Sequence, residues 1–381
     1  MKTIVLPVID AGGGHRATAN ALLEIFRRKQ CPWHVEILSV DEMLQPIDLL
    51  YWFVGIHQSS VYNFLLRRGW TFGSSALVPM MHAFYKLMRP AHVRLFRRQF
   101  RKLRPDYVLS VVPHLNRAMF EAARKEAPEA GFATLLTDFA DDPPSFWIEP
   151  QPQDYICGTE RAVEQARTIA GNEADVWPVS GMVLHPKFYD SIDGNRAEER
   201  TKLGLDPARP VGLVMFGGYG ASTMRKIAKT VAISGNGVQL ILLCGRNRRL
   251  YKSLRALRLP GMYACEFTHN VAYYAWLSDF FIGKPGPGAI SEALVMGLPV
   301  ILKDGLATMA HERYNIEWVR EKDVGVAVKR IRDVPAAIDE ILAPENYTRM
   351  RQSLASLNLR AVFEVTELLE KLVNETVRAE V

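Results

Sequence analysis

The stretch Gly283-Lys284-Pro285-Gly286-Pro287-Gly288-Ala289-Ile290-Ser291-Glu292-Ala293-Leu294 carries the clearest chemistry in this chain. An apolar strand, Phe280 to Ile282, is expected to run into the Pro/Gly turn, with a helix opening at about Ala289 and stopping at Gly297. A helix N-terminus presents unpaired N–H groups and a partial positive charge, and both favour a phosphate. Gly286 and Gly288 let a ligand approach the backbone, and Lys284 adds a cation. Glu292, one turn inside the helix, could accept hydrogen bonds from a pair of sugar hydroxyls. The pattern points to a nucleotide diphosphate on a helix end, held at its ribose by a carboxylate. The plainer alternatives are a βα turn, a solvated lysine, and a first-turn acid that complements the helix dipole.

A second set of residues sits near the start of the chain. His15 follows Gly12, Gly13 and Gly14 and opens an expected helix, His15–Arg28. A helix N-terminus disfavours imidazolium, so His15 is a candidate general base in its neutral form. Asp138, at the end of an expected strand near Ala133–Thr137, could orient His15 or act as the base itself; capping the following turn is the alternative. Asp141 and Asp142 lie in the loop beyond. His114, after an expected strand Tyr107–Val112, reads better as a loop histidine with a local hydrogen bond.

The elements that must hold these groups alternate strand and helix. Strands are expected at Thr3–Ile9, His34–Val40, Tyr107–Val112 and Ala133–Thr137, then at Val211–Phe216, Gln239–Cys244, Phe280–Ile282 and Val300–Leu302. Such alternation implies parallel sheets with helices on both faces, in two doubly wound domains. Ligands collect at the carboxyl ends of such strands, where Gly217-Gly218 and Gly245-Arg246 also fall. The expected division is an α/β domain at 1–180, a linker at 181–209, a second α/β domain at 210–360 and a C-terminal helix at 361–381 that packs back on the first. Residues 353–379 read as one or two amphipathic helices.

The 381 residues suffice for two buried cores. Four scattered cysteines read as reduced thiols of a cytoplasmic protein. The first strand leaves no room for a signal peptide, and the longest apolar run, Leu49 to Ile56, is too short to span a bilayer. A net charge of +6 conceals a more local feature. Residues 49–105 contain no Asp or Glu, yet they hold Arg67, Arg68, Arg94, Arg97, Arg98, Arg101 and Lys102 together with Trp52, Phe53, Trp70 and Phe72. An acid-free basic and aromatic insert fits an anionic membrane surface. No nucleic-acid-binding motif accompanies it.

Asp10-Ala11-Gly12-Gly13-Gly14-His15-Arg16-Ala17-Thr18-Ala19 resembles the opening of monogalactosyldiacylglycerol synthases and processive diacylglycerol glucosyltransferases. Lys284–Leu294 resembles the donor-binding segment of the same family, which includes the lipid II-forming N-acetylglucosaminyltransferase; Leu243-Cys244-Gly245-Arg246-Asn247 and Gly217-Gly218 resemble two further blocks. This resemblance implies the GT-B fold, with acceptor on the first domain and donor on the second. It also implies inverting transfer of a sugar from a UDP-sugar, with no metal and no cofactor beyond that donor. It places Phe267 where the base meets the backbone, and Ala289, Ile290 and Glu292 against the nucleotide. In Ala310-His311-Glu312-Arg313-Tyr314-Asn315, Glu312 and Asn315 fit the family, while His311 stands where galactolipid synthases tend to carry Gln. The sugar's identity therefore stays open. The expected acceptor is a membrane lipid hydroxyl of the diacylglycerol kind, met peripherally on a cytoplasmic face. A nucleotide-sugar 2-epimerase of the same fold, a transferase with a non-lipid acceptor and a non-catalytic binder are the alternatives. Oligomeric state is not legible.

Overall fold

A computed structural model describes residues 1–10, 13–47, 74–305 and 308–375. Two six-stranded sheets, parallel throughout, form two domains. The first has β1 (Lys2–Val8), β2 (Trp33–Ser39), β3 (Tyr107–Ser110), β4 (Gly131–Leu135), β5 (Asp154–Cys157) and β6 (Asp175–Pro178), in the order β2-β1-β3-β4-β5-β6. The second has β7 (Val211–Met215), β8 (Gln239–Leu243), β9 (Met262–Cys265), β10 (Phe280–Gly283), β11 (Val300–Lys303) and β12 (Gly325–Val328), in the order β12-β11-β10-β7-β8-β9. In β3, β8 and β10 every residue is buried, as apolar runs covered by helices on both faces must be.

Four short strands escape the sequence reading: β5, β6, β9 and β12. Each is four residues long and shows no alternation. The donor-side helix begins at Pro287 rather than Ala289, because the fixed φ of proline suits the first helical position. The basic residues Arg94, Arg97, Arg98, Arg101 and Lys102 lie at the end of one long helix, Ser74–Leu103.

The segment between the domains is not slack. It contains the helix Arg196–Lys202, whose Arg200 is buried. The Arg200 guanidinium donates to the Leu277 carbonyl at 2.9 Å and to Asp279 Oδ2 at 2.7 Å. Asp279 also pairs with Arg196 and accepts from the Val211 N–H at 2.8 Å, fixing the starts of β7 and β10. At the far end of the chain, the helix Ala361–Glu375 buries Val362, Val365, Leu369 and Val373 in the first domain's core, against Leu22, Ile25 and Phe26. Phe139 and Ala140 of the first domain join the core of the second, where Phe139 meets Trp318 edge-on at 4.8 Å.

Removing one partner of a buried ion pair strands the other charge. Arg200→Leu is therefore expected to lower the stability of the second domain by about 3 kcal/mol. Urea denaturation followed by a probe confined to that domain checks it; an unchanged midpoint would contradict it.

Candidate active site

Every singled-out group follows the carboxyl end of a strand. On the donor side, Gly286 is the extended cap of the helix Pro287–Val295. The first turn carries no acid, and open space lies around Gly288. The N–H groups of Gly288 and Ala289 have no intrahelical acceptor and can meet an anion. Ile290 departs from the expectation. Its N–H already bonds to the Gly286 carbonyl at 3.1 Å and its side chain is fully buried, so it shapes the core.

Lys284 Nζ donates to Glu312 Oε1 at 2.6 Å. Burial pushes the Glu312 carboxyl upward, but the Lys284 charge and hydrogen bond outweigh it and the carboxylate is held below its ordinary value. The buried Asn315 donates from Nδ2 to the Pro285 carbonyl at 2.7 Å, bracing the turn, while its Oδ1 is buried without a partner. Lys284 is thus neither a solvated lysine nor a free cation. A Cβ on Gly217 would lie 3.8 Å from the Lys284 side chain, which brings the β7 turn into the same place.

Gly217 is left-handed at φ 71°. The Gly218 carbonyl accepts from the Arg246 N–H at 2.8 Å, and Gly245, at φ 58°, approaches so closely that a Cβ would stand 2.2 Å from that carbonyl. Only glycine fits there. Arg246 lies over the Phe267 ring at 4.8 Å. Phe267 is 42% exposed, so its ring can border a ligand while it packs against Arg246 and His269.

Glu292 is partly buried in the second turn of its helix and has no hydrogen-bond partner among the described residues. The helix-dipole alternative falls, because no acid stands in the first turn. Burial pushes the Glu292 carboxyl up to about 7, with Lys187 pulling the other way. Lys187, whose Nζ donates to the His269 carbonyl at 2.5 Å, comes from the linker and was not legible in any motif.

On the facing side, Gly13 caps the helix Gly14–Arg28 in a left-handed conformation at φ 88°; Gly14 is its first residue, and both are exposed. His15 Nδ1 lies 3.2 Å from Thr137 Oγ1. Desolvation lowers the His15 imidazole below 6.5, against the opposing pull of Asp138 and a hydrogen bond with the Val111 main chain. Asp138 is buried and accepts from Trp147 Nε1 at 2.9 Å, and the Trp147 ring stands 5.7 Å from the His15 ring. Asp138 therefore acts on His15 as a nearby charge and through Trp147. The fully buried Asp141 accepts from the Ser145 and Trp147 N–H groups at 2.9 and 2.6 Å, which pins the loop carrying Phe146 and Trp147. Asp142 points elsewhere, to Arg161 at 2.9 Å.

Phe146 joins the halves. It stacks on His311 of the second domain at 5.8 Å and 15°, and meets His114 edge-on at 4.1 Å. His114 stacks on Tyr85 at 4.8 Å, and burial pushes it down to about 3. Its ring packs among aromatic rings, and its buried Nε2 has no hydrogen-bond partner among the described residues, so the local hydrogen bond expected from the sequence is not seen there. His311 is close enough to His15 to oppose its protonation. The base candidate, the donor turn and the aromatic loop thus occupy one cleft.

No family model matches the chain. A probable monogalactosyldiacylglycerol synthase 3 of Oryza sativa subsp. japonica is 27% identical over 395 residues, covering 98% of this chain and 75% of its own length. The monogalactosyldiacylglycerol synthase of Spinacia oleracea is 27% identical over 401 residues, with 99% and 73% covered. Among solved structures, MurG of Acinetobacter baumannii matches with a TM-score of 0.61 at 12% identity, over 97% of this chain and 100% of its own. The chain has the GT-B fold and is similar over nearly its whole length to monogalactosyldiacylglycerol synthases. Similar structures include UGT2 of Phytolacca americana complexed with UDP-2-fluoro-glucose and pterostilbene, with a TM-score of 0.57 at 12% identity, over 98% of this chain and 100% of its own. A UDP-GlcNAc 2-epimerase of Neisseria meningitidis bound to UDP-GlcNAc matches at 0.56 and 14% identity, over 97% and 100%. In this fold the turn before Pro287 is tied through Lys284 to Glu312, beside His311, and His311 in turn lies near His15.

If His15 takes the acceptor's proton, His15→Ala should lower turnover about 10²–10⁴-fold while UDP affinity stays near wild type. The depressed imidazole stays neutral at pH 7, so the acid limb of kcat/KM should lie below pH 6.5. Near-normal turnover of a folded His15→Ala protein would remove the assignment.

Proposed function

We propose that the protein transfers a hexose from a UDP-sugar to a membrane lipid hydroxyl, of the diacylglycerol kind, with inversion and without a metal. The observation that carries this reading is the convergence across the cleft: His15 of the first domain lies within electrostatic reach of His311 of the second, and Phe146 stacks on His311. A lipid oxygen held beside His15 would lose its proton to the imidazole and bond to the anomeric carbon. The bond from that carbon to the UDP oxygen would break. The Gly288 and Ala289 N–H groups and Lys284 would stabilise the diphosphate that leaves. Glu292 would accept from the ribose hydroxyls, and Arg246 with Phe267 would border the base.

The lipid acceptor is supported by the names of the relatives and by the helix Ser74–Leu103. Met80, Phe84 and Leu87 are exposed there at spacings of four and three, in one stripe. Arg94, Arg98 and Lys102 are exposed beyond them and form no ion pair among the described residues. The basic face is smaller than the sequence suggested, because Glu126 pairs with Arg97 at 2.6 Å and with Arg101 at 2.9 Å. The aromatic residues Trp52, Phe53, Trp70 and Phe72 and the pair Arg67 and Arg68 lie outside the described residues. Among the described residues no helix is long and apolar enough to cross a membrane.

A panel of UDP-sugars incubated with a membrane lipid extract tests the reading, with product mass as readout. A lipid heavier by one hexose is expected. An altered nucleotide sugar with no lipid product would favour the epimerase reading, which rests on the 2-epimerase similarity.

Glu292 supplies a second test. Ribose hydroxyls would favour its carboxylate, so UDP affinity should rise with pH through about 7. Glu292→Gln should erase that dependence and weaken UDP binding about 10- to 100-fold. The carboxyl's raised value means that ionisation opposes folding at high pH, so the same variant should gain about 1 to 2 kcal/mol of stability at pH 8. Calorimetric titration of UDP at several pH values, with thermal melts alongside, reads both; a pH-independent wild-type affinity would contradict the assignment.

A further inference from the structure

Between Asp206 and Glu266 the sequence contains no Asp or Glu. The structure folds this second acid-free stretch, in the donor domain, into β7, β8 and β9 and two helices that share one core. Met224, Ile227 and Val231 of Thr223–Ser234 pack with Leu250 and Leu254 of Arg248–Arg255. Their outer faces are basic. Lys226 and Lys229 are exposed on the first helix, and Arg248, Lys252 and Arg255 on the second, the latter three at spacings of four and three. None of these five forms an ion pair among the described residues. Arg255 donates only to the Tyr251 hydroxyl, at 3.2 Å. Two acids from the elements packed beside the first helix are engaged: Asp333 with Arg330 at 3.0 Å, and Asp339 with Asn236 at 3.4 Å.

An apolar residue completes the pattern. Ile233 continues the line of Lys226 and Lys229 at helical spacing and is 84% exposed. Apart from Met1, the large apolar side chains exposed among the described residues lie on Ser74–Leu103, on this face, or at Phe267 in the donor site. Cations around an exposed aliphatic side chain suit the headgroup region of an anionic bilayer. Nucleic acid would call for stacking rings between the cations, and here the Tyr251 ring is covered by Arg255.

We propose that this donor-domain face is a second membrane contact, which binds anionic lipid headgroups independently of Ser74–Leu103. The choice of a bilayer over other polyanions rests on the lipid-glycosylating reading above. With both domains seated on the surface, the cleft would stay against the bilayer through successive turnovers.

The full chain is sedimented with vesicles of phosphatidylcholine alone and of phosphatidylcholine with phosphatidylglycerol. The variant Lys226→Gln/Lys229→Gln/Lys252→Gln/Arg255→Gln should bind the anionic vesicles roughly six hundredfold more weakly, since each of the four cations contributes about fivefold. A charge-keeping control, Lys226→Arg/Lys229→Arg/Lys252→Arg, should bind as wild type does, and wild-type binding should fall with added salt. Unchanged binding by the folded Gln variant overturns the proposal, as does retention of a homopolymeric RNA in place of vesicles. Turnover of detergent-dispersed diacylglycerol should be equal in all three proteins. Its absence from wild type would count against the proposed transfer and leave the vesicle result standing.

Discussion

The turn after β10, where the donor is proposed to bind, depends on one buried charge. Glu312 is 4% exposed, and an unpaired carboxylate there would be costly. Lys284 compensates it at 2.6 Å, which draws the end of β10 onto the turn before the Arg313–Glu321 helix. Asn315 then holds the Pro285 carbonyl, and Gly286 lies against the pair, where a Cβ would stand 3.3 Å from the Lys284 side chain. The helix Pro287–Val295 consequently starts where its free N–H groups face open space. A diphosphate arriving there would meet an ammonium already positioned and already charged. Stabilisation from such fixed groups needs no rearrangement as charge develops.

The acceptor side is organised differently, by aromatic packing over a hydrogen-bonded loop. Asp141 takes two main-chain N–H groups, and Trp147 is thereby seated between Asp138 and His15. The same loop presents Phe146 to His311. At His311, where the family resemblance implies an amide, the ring makes an aromatic contact that an amide would not supply. One loop therefore touches both the base candidate and the donor half.

The sequence showed the fold's frame because its central strands are continuous apolar runs ended by Gly or Pro turns. Val211–Met215, Gln239–Leu243 and Phe280–Gly283 are of this sort. Met262–Cys265 and Asp175–Pro178 are edge strands of four residues, with partly buried or exposed side chains and no period to detect. The glycine turns were legible because their backbone role is written in their residue type. Gly245 against Gly218 is the sharpest case. Groups whose role comes from distant partners were not legible. His15 and Thr137 are 122 residues apart, and Arg200 and Asp279 are 79 apart. Lys187 reaches the donor side from a linker that local sequence gave no reason to place there. The insert's charge was over-read for the same reason, since Glu126 arrives from a neighbouring helix.

The central claim is that the two facing elements carry out a coupled transfer. Real-time UDP release by the purified protein, with an accepted UDP-sugar and with or without diacylglycerol in mixed micelles, tests it most directly. Coupled transfer requires release to depend on the lipid and to match glycolipid formation mole for mole. Release at the same rate without lipid, or consumption of the nucleotide sugar with no UDP released, would contradict it.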